Sequence, residues 1–244
     1  MHGGGKRASA IVSQLRQWQP DLIALSEFRG TPASQQIADD LNAHGFVHQL
    51  TTSDTSKKLR ARNALLLAST VPITPIKIWG TPKPTHRWLF VQVETTIPFH
   101  MGVMHIPNMH TKQKVPYQQR ILSLAKRWKY EAGVFIGDTN SGLPDIDEEA
   151  PAFGQYEADF INGLDALDWR DMFRVKHGDK RAYTWYSPNG RNGFRLDEAF
   201  ANTALQPYII DCYYHWGKAG EHNQLSDHAA IVLDTTLDVY PALQ

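Results

Sequence analysis

Gly133-Val134-Phe135-Ile136-Gly137-Asp138-Thr139-Asn140-Ser141-Gly142 is the stretch from which the fold is read. An apolar run, Val134 to Ile136, stops at Gly137 and is followed at once by the carboxylate of Asp138 and the amide of Asn140. A run of this kind with a turn behind it predicts a short buried strand that delivers polar groups to its C-terminal edge. An acid there is held by rigid backbone yet meets solvent, as a site requires. The rival reading is an Asx-turn, in which Asp138 or Asn140 only bonds the backbone that follows.

Outward from this stretch the pattern repeats. Ile11, Leu15 and Trp18 share one helical face until Pro20, and Leu22 to Leu25 then predicts a strand that runs into Ser26-Glu27-Phe28-Arg29. Pro32 to Leu41 predicts a second helix, 51–62 a polar and basic loop, and Asn63 to Ala68 a strand. Trp88 to Val93 and Phe99 to Ile106 predict two more strands, the second ending in His105-Ile106-Pro107-Asn108. A helix over Tyr117 to Tyr130, basic toward solvent, leads back to Val134. The 143–167 segment is acidic, with no Lys or Arg, and is taken as a solvated face. Phe194 to Ala201 predicts a strand with Arg195 and Asp197 on one face, and Leu225-Ser226-Asp227-His228 precedes a last apolar strand. Many strands with few helices between them predict an α+β fold of two stacked sheets with helices outside.

Composition narrows the classes. The 244 residues suffice for a substantial core, and 42% hydrophobic with 20% charged residues is the balance of a soluble globular protein. Lys plus Arg and Asp plus Glu are both 25, so no global basic field draws the chain to nucleic acid or membrane. No apolar run is long enough to span a bilayer. The single Cys212 excludes an internal disulfide and fits a reducing compartment, although a secreted disulfide-free protein would look the same; the expected location is cytoplasmic.

Each polar strand end has a bland reading. Glu27 has Arg29 nearby, His105 alone is most simply a satisfied core histidine, and Asp227 is placed to cap a turn. Together they are harder to dismiss, because several carboxylates without matching bases repel unless a cation sits among them. Glu27, Asp138, Asp227 and the Asn140 amide oxygen make a hard oxygen set suited to Mg²⁺ or Mn²⁺ rather than zinc. His228 with Asp197 offers an acid-fixed imidazole. A metal, such a histidine and a few Arg or Asn donors are what phosphoryl transfer needs. No Walker loop, Gly-x-Ser-x-Gly or Cys-x-x-Cys occurs, which disfavours an NTPase, a serine hydrolase or a zinc ribbon.

PDLIALSEF, RNALLLAS, GVMHIPN, FIGDTNSG, YTWYSPNGRNGFRLDEAF and LSDHAAIVL, in this order along nearly the whole chain, resemble the endonuclease/exonuclease/phosphatase superfamily, which includes exonuclease III-like and deoxyribonuclease-like enzymes. The resemblance implies one domain over 1–244, a four-layer α/β sandwich of two mixed sheets packed face to face with outer helices. It implies Glu27 and Asp227 as metal ligands, Asp138 as the acid that orients water, Asn140 beside it at the phosphate, His105 assisting there, and His228 oriented by Asp197. Arg29, Asn63, Asn108 and Arg195 become expected substrate contacts. Ser26 stands where the family usually has Gln. Family members begin with a core strand ending in Trp-Asn, and this chain starts at the residues that would follow it, Met1-His2-Gly3-Gly4-Gly5. The expectation is a sheet lacking that strand, less stable and less active than a version extended upstream by about ten residues, the length of a long strand.

The expected function is a Mg²⁺-dependent phosphodiester hydrolase, a nuclease on DNA, working as a monomer. Lys57, Lys58, Arg60 and Arg62 in one loop and Lys112, Lys114, Arg120, Lys126, Arg127 and Lys129 in another region are its candidate phosphate contacts. Trp185 and Tyr186 are read first as core or rim packing and second as base-stacking groups. The alternatives are a phosphatase or phosphodiesterase of a small or lipid-derived ester, and a non-catalytic binding member.

Overall fold

The computed structural model describes residues 3–108, 112–217 and 225–238. Met1, His2 and Thr111 of the sequence reading lie outside them. The helices are α1 (Ala8–Trp18), α2 (Pro32–Ala43), α3 (Lys114–Arg127), α4 (Gln155–Asp165) and α5 (Met172–His177). The strands are β1 (Leu22–Phe28), β2 (His48–Thr51), β3 (Ala64–Ser69), β4 (Ile73–Pro75), β5 (Trp88–Val93), β6 (Phe99–His105), β7 (Gly133–Asp138), β8 (Trp169–Asp171), β9 (Trp185–Tyr186), β10 (Gly193–Phe194), β11 (Asp197–Asn202), β12 (Ile209–His215) and β13 (Ala230–Thr235).

The fold is α+β. Its largest sheet has six strands in the order β4-β5-β6-β7-β11-β8, mixed because β6 and β7 run parallel and the other pairs antiparallel. Facing it are two smaller sheets, β1-β3-β2 and β12-β13. Both are antiparallel throughout, so the expectation of two mixed sheets holds for the large sheet alone.

The apolar run in β7 is explained by burial on both faces. Val134 and Ile136 join Leu65, Leu67, Ala199 and Ala201 in the core between the sheets. Phe135 points the other way and stacks on Trp169, ring centroids 4.1 Å apart, in the core beneath α3 and α4. A third core lies under α1 and α2, where Ile37 and Leu41 pack on Ile23, Leu66 and Ala68. Pro32 at the first turn and Thr31, whose side chain accepts from the Ser34 amide, start α2.

Gly137 is required by the sheet. Its φ is 138°, and a Cβ there would stand 2.0 Å from the Met104 carbonyl oxygen on β6. The glycine thus lets β7 approach β6 just before Asp138.

Among the described residues β1 pairs only with β3, and β13 only with β12. β1 packs over β6 and β7 while β13 packs over β11, and Ala24 on β1 is exposed.

The 143–167 acidic run keeps its reading as a solvated face at Asp145, Glu149, Asp159 and Asp165, which are exposed, and departs from it at three other acids. It contains α4, and Asp147, Glu148 and Glu157 are buried. Glu148 accepts from the amides of Asp145, Ala152 and Phe153, which pins the loop before α4. The expected strand over 194–201 is likewise split, because Leu196 and Asp197 donate their amides to the Thr184 hydroxyl and the ladder resumes only at Asp197.

Candidate active site

The sheet registers set the site. Across β6, β7 and β11, His105 pairs with Asp138 and Asp138 with Asp197. Cross-strand partners share a face, so one row presents an imidazole and two carboxylates at one end of the large sheet. Trp88 pairs with Met104, which puts the preceding residue, Arg87, at the register position beside His105. His228 completes the group from the loop before β13, which bridges to Trp185.

Asp138 satisfies both rival readings of its turn. Its Oδ1 accepts from the Asn140 amide at 2.9 Å, as an Asx-turn does. Its Oδ2 lies 3.2 Å from Asn140 Nδ2 and 3.5 Å from His105 Nε2. Asn140 has φ 48°, and its Nδ2 also donates to the Ile106 carbonyl at 2.8 Å. Burial raises Asp138 to about 7; His228 opposes this while Asp197 and Glu27 add to it. A carboxyl so tuned suits a general base near neutral pH.

Nδ1 of His228 lies 2.8 Å from Asp197 Oδ2. Burial pulls this imidazole down, but Asp197, with Asp138 and Asp227, outweighs it and lifts the group to about 9. His228 is therefore an imidazolium at neutral pH, tethered at Nδ1 and presenting a charged Nε2–H donor. His105 is the opposite case: burial, then Arg87, His228 and His86, hold it well below its usual range, so it is neutral. Its Nδ1 finds no hydrogen-bond partner among the described residues.

Glu27 sits in the irregularity of β1 between Ser26 and Phe28, with φ 58°. A non-glycine residue there is uncommon and marks a backbone held by its surroundings. Glu27 Oε1 accepts from Asn63 Nδ2 at 2.9 Å, and Asn63 Oδ1 accepts from Arg29 Nε at 2.8 Å. The expected residues Glu27, Asn63 and Arg29 thus form one chain. The glycine run is tied to it, since the Gly3 amide donates to the Glu27 carbonyl at 2.9 Å.

The remaining expected residues differ in exposure. Asn108 is exposed on the loop after β6, and Asp227 is exposed beside His228. Arg195 is a correction: it is fully buried, with Nε 2.5 Å from Asp147 Oδ1, Nη2 2.6 Å from Asp171 Oδ2 and 3.1 Å from Glu198 Oε1. Its Nη1 donates to the Tyr214 hydroxyl, which donates to the Asp197 carbonyl at 2.8 Å. Arg195 braces the segment carrying Asp197 from behind and does not face substrate.

Lys114 is also buried, although the sequence placed it among surface phosphate contacts. Its Nζ donates to the Asn140 carbonyl at 2.6 Å and stands 3.6 Å from Glu157 Oε1. Lys114→Met is expected to lower unfolding free energy by about 3 kcal/mol, because it leaves Glu157 buried and uncompensated. The double variant Lys114→Met/Glu157→Gln should regain part of that in urea denaturation; an unchanged midpoint for the single variant would remove the brace from this account.

Arg87 and His86 were missed by the sequence reading. They lie in a 3-10 turn, Thr85–Arg87, where no periodicity shows, and the Arg87 carbonyl accepts from the buried Tyr117 hydroxyl at 2.6 Å. Burial lowers Arg87 somewhat while Asp138, Tyr117 and Glu27 pull it back up. The guanidinium therefore feels the same carboxylates that make the site.

The side chains available to a cation offer hard carboxylate oxygens, those of Glu27 and Asp227 among them, a chemistry that fits a hard divalent cation. Among the described residues, however, no three His, Cys, Asp or Glu side chains converge as ligands.

The model of the Endonuclease/Exonuclease/phosphatase family matches residues 1–228. The chain belongs to that family. Membership supports hydrolytic, nuclease or phosphoesterase chemistry in general. No curated protein sequence matches the chain. Solved structures share the family fold at low identity. An AP endonuclease from Archaeoglobus fulgidus superposes with a TM-score of 0.77 at 19% identity, over 94% of each chain. A 3' phosphatase, NExo, from Neisseria, bound to a product DNA hairpin, gives 0.76 at 18% identity over 96% of each chain. The APE2 catalytic domain of Xenopus laevis gives 0.71 at 15% identity, covering 100% of this chain and 92% of that one. Among the described residues no helix is long and apolar enough to cross a membrane.

Proposed function

We propose that the chain is a Mg²⁺-dependent phosphodiester hydrolase acting on DNA, an exonuclease III-like nuclease or a related endonuclease that works as a monomeric single domain. The observation that carries the reading is the Asp138-Asp197 pair across β7 and β11, with His228 tethered to Asp197 and His105 beside Asp138. The family relatives add support, since an AP endonuclease and a 3' phosphatase bound to a DNA hairpin share the fold.

In this mechanism Asp138, its carboxylate fixed by the Asn140 amide, accepts a proton from the water whose oxygen bonds phosphorus, as the bond from phosphorus to the leaving sugar oxygen breaks and that oxygen takes a proton from solvent. His228, charged and aimed by Asp197, donates through Nε2 to a phosphate oxygen as negative charge builds. Neutral His105 donates to the same phosphate, and Arg87 and Arg29 supply further positive charge around it. A divalent cation held by Glu27 and Asp227 would neutralise the non-bridging oxygens. The finer architecture is proposed on the same footing: a four-layer sandwich in which no strand is described between β1 and β13.

A substrate panel tests the reading. Nicking of plasmid or cleavage of an abasic oligonucleotide with Mg²⁺, abolished by EDTA and restored by added Mg²⁺, is expected, with no turnover of inositol phosphates or sphingomyelin. Turnover of those esters without DNA cleavage would move the assignment to a small-ester phosphatase or phosphodiesterase, and turnover of none would leave a binding protein.

A further inference from the structure

Trp79 is 85% exposed, among the most exposed large apolar side chains described. Its neighbours explain why it is held outward: Ile76 and Ile78 pack on the core beneath α3, which anchors the segment and turns Trp79 to solvent. The Arg120 guanidinium, from the outer side of α3, lies over the indole at 5.6 Å from the ring centroid. Gly80, with φ 79°, makes room for it, since a Cβ there would stand 3.0 Å from the guanidinium carbon. Indole and guanidinium border a groove of about 660 Å³ whose lining also includes Lys83, Gln119 and Ser123 and contains no acid.

Both walls of the groove belong to segments that run on toward the active site. Thr85 in one wall is two residues from Arg87, and Pro116 in the other is two residues from Lys114, which holds the Asn140 carbonyl. Beyond Ser123, exposed Lys126 and Arg127 extend the positive charge along α3. An aromatic face beside cations, free of carboxylates, has the chemistry of a stacking platform for a polyanion with planar bases. A bare phosphate would need only the cations, and an apolar partner would not favour Lys83 and Arg120.

We propose that this groove binds a single-stranded stretch of DNA leading away from the active site, one base stacked on Trp79 and the flanking phosphates held by Arg120 and Lys83. The proposal rests on the reading of the chain as a DNA hydrolase. It makes Trp79 and Arg120 determinants of substrate affinity that take no part in the chemistry.

The test uses the whole chain and a short fluorescein-labelled oligothymidylate, with binding followed by anisotropy in EDTA so that turnover is absent. Trp79→Ala should weaken binding about tenfold, and Arg120→Gln should weaken it severalfold and flatten its salt dependence. Trp79→Phe should keep most of the affinity. All three should hydrolyse bis(p-nitrophenyl) phosphate at the wild-type rate and melt as wild type does. Wild-type affinity of Trp79→Ala for the oligothymidylate would overturn the proposal. So would an equal loss of affinity for an oligomer of abasic sites, which has phosphates but no bases to stack. Asp138→Asn separates the two levels: if it leaves DNA cleavage unchanged the active-site reading fails, and if it abolishes cleavage while Trp79→Ala binds normally, the groove alone is wrong.

Discussion

Asp138→Asn is expected to lower turnover of the phosphodiester substrate by about 10²–10⁴-fold, the range for loss of a positioned general base. The substitution is nearly isosteric. It keeps an oxygen to accept from the Asn140 backbone amide and stays in register between His105 and Asp197, so the row survives while its basicity and the acceptor for Asn140 Nδ2 are removed. KM should change little, because the lost interaction belongs to proton removal in the transition state. Folding gives a second signature. Asp138 is pushed up by burial and by Asp197 and Glu27, so in the folded state its ionised form is opposed by its surroundings. Its folded value of about 7 lies above the unfolded one, so ionisation draws stability down as pH rises from about 4 to 7, and an amide is exempt. Turnover should therefore collapse while the melting temperature at neutral pH holds or rises. Steady-state kinetics and a thermal melt on one preparation check both, and wild-type turnover would remove Asp138 from the chemistry. His228→Ala should cost turnover on the same scale through loss of the Asp197-tethered donor.

The strand-end acids were legible because their signal is local. An apolar run that stops at a polar residue can be read without knowing what packs against it, and Glu27, His105 and Asp138 announce themselves so, while His228 stands just before the last apolar run. Two carboxylates opposite each other on adjacent strands were not legible, since Asp138 and Asp197 are 59 residues apart and only the β7-β11 register joins them. Arg87 was missed for the same reason: a Pro-rich turn hides it, and its place follows from the β5-β6 pairing. The acidic 143–167 run misled because charge alone predicts solvent, whereas Asp147 and Glu157 are paired with buried cations that lie far along the chain or on another helix. Arg195 misled in the complementary way. Next to the Asp197 motif a guanidinium reads as a phosphate contact, but the break in the ladder at Leu196 sends it into the interior.

Arg195→Met is expected to destabilise the fold by about 3–5 kcal/mol, the cost of breaking a buried ion pair by removing one partner. The guanidinium lies among Asp147, Asp171 and Glu198, all buried, and no other cation described reaches the last two. Burial opposes its charge, yet the surrounding acids hold it well above the usual arginine range, so it stays protonated. Burial drives Glu198 well above the usual carboxyl range, so it carries a proton and the arginine neutralises chiefly Asp147 and Asp171. Methionine fills the volume but leaves both of those charges in a dry interior, with Arg174 on Asp147 as the remaining partner. At roughly 2–4 °C per kcal/mol for a chain of this size, the melting temperature should fall by about 6–20 °C. Arg195→Lys should recover little, because an ammonium cannot span Asp147 and Asp171 as the guanidinium fork does. The two roles considered for this residue separate cleanly in one experiment. A substrate contact would raise KM in Arg195→Lys with an unchanged melt, whereas a buried brace lowers the melt and, by loosening Tyr214 and the Asp197 carbonyl behind His228, lowers kcat with KM nearly constant. A wild-type melting temperature for Arg195→Met would refute the brace.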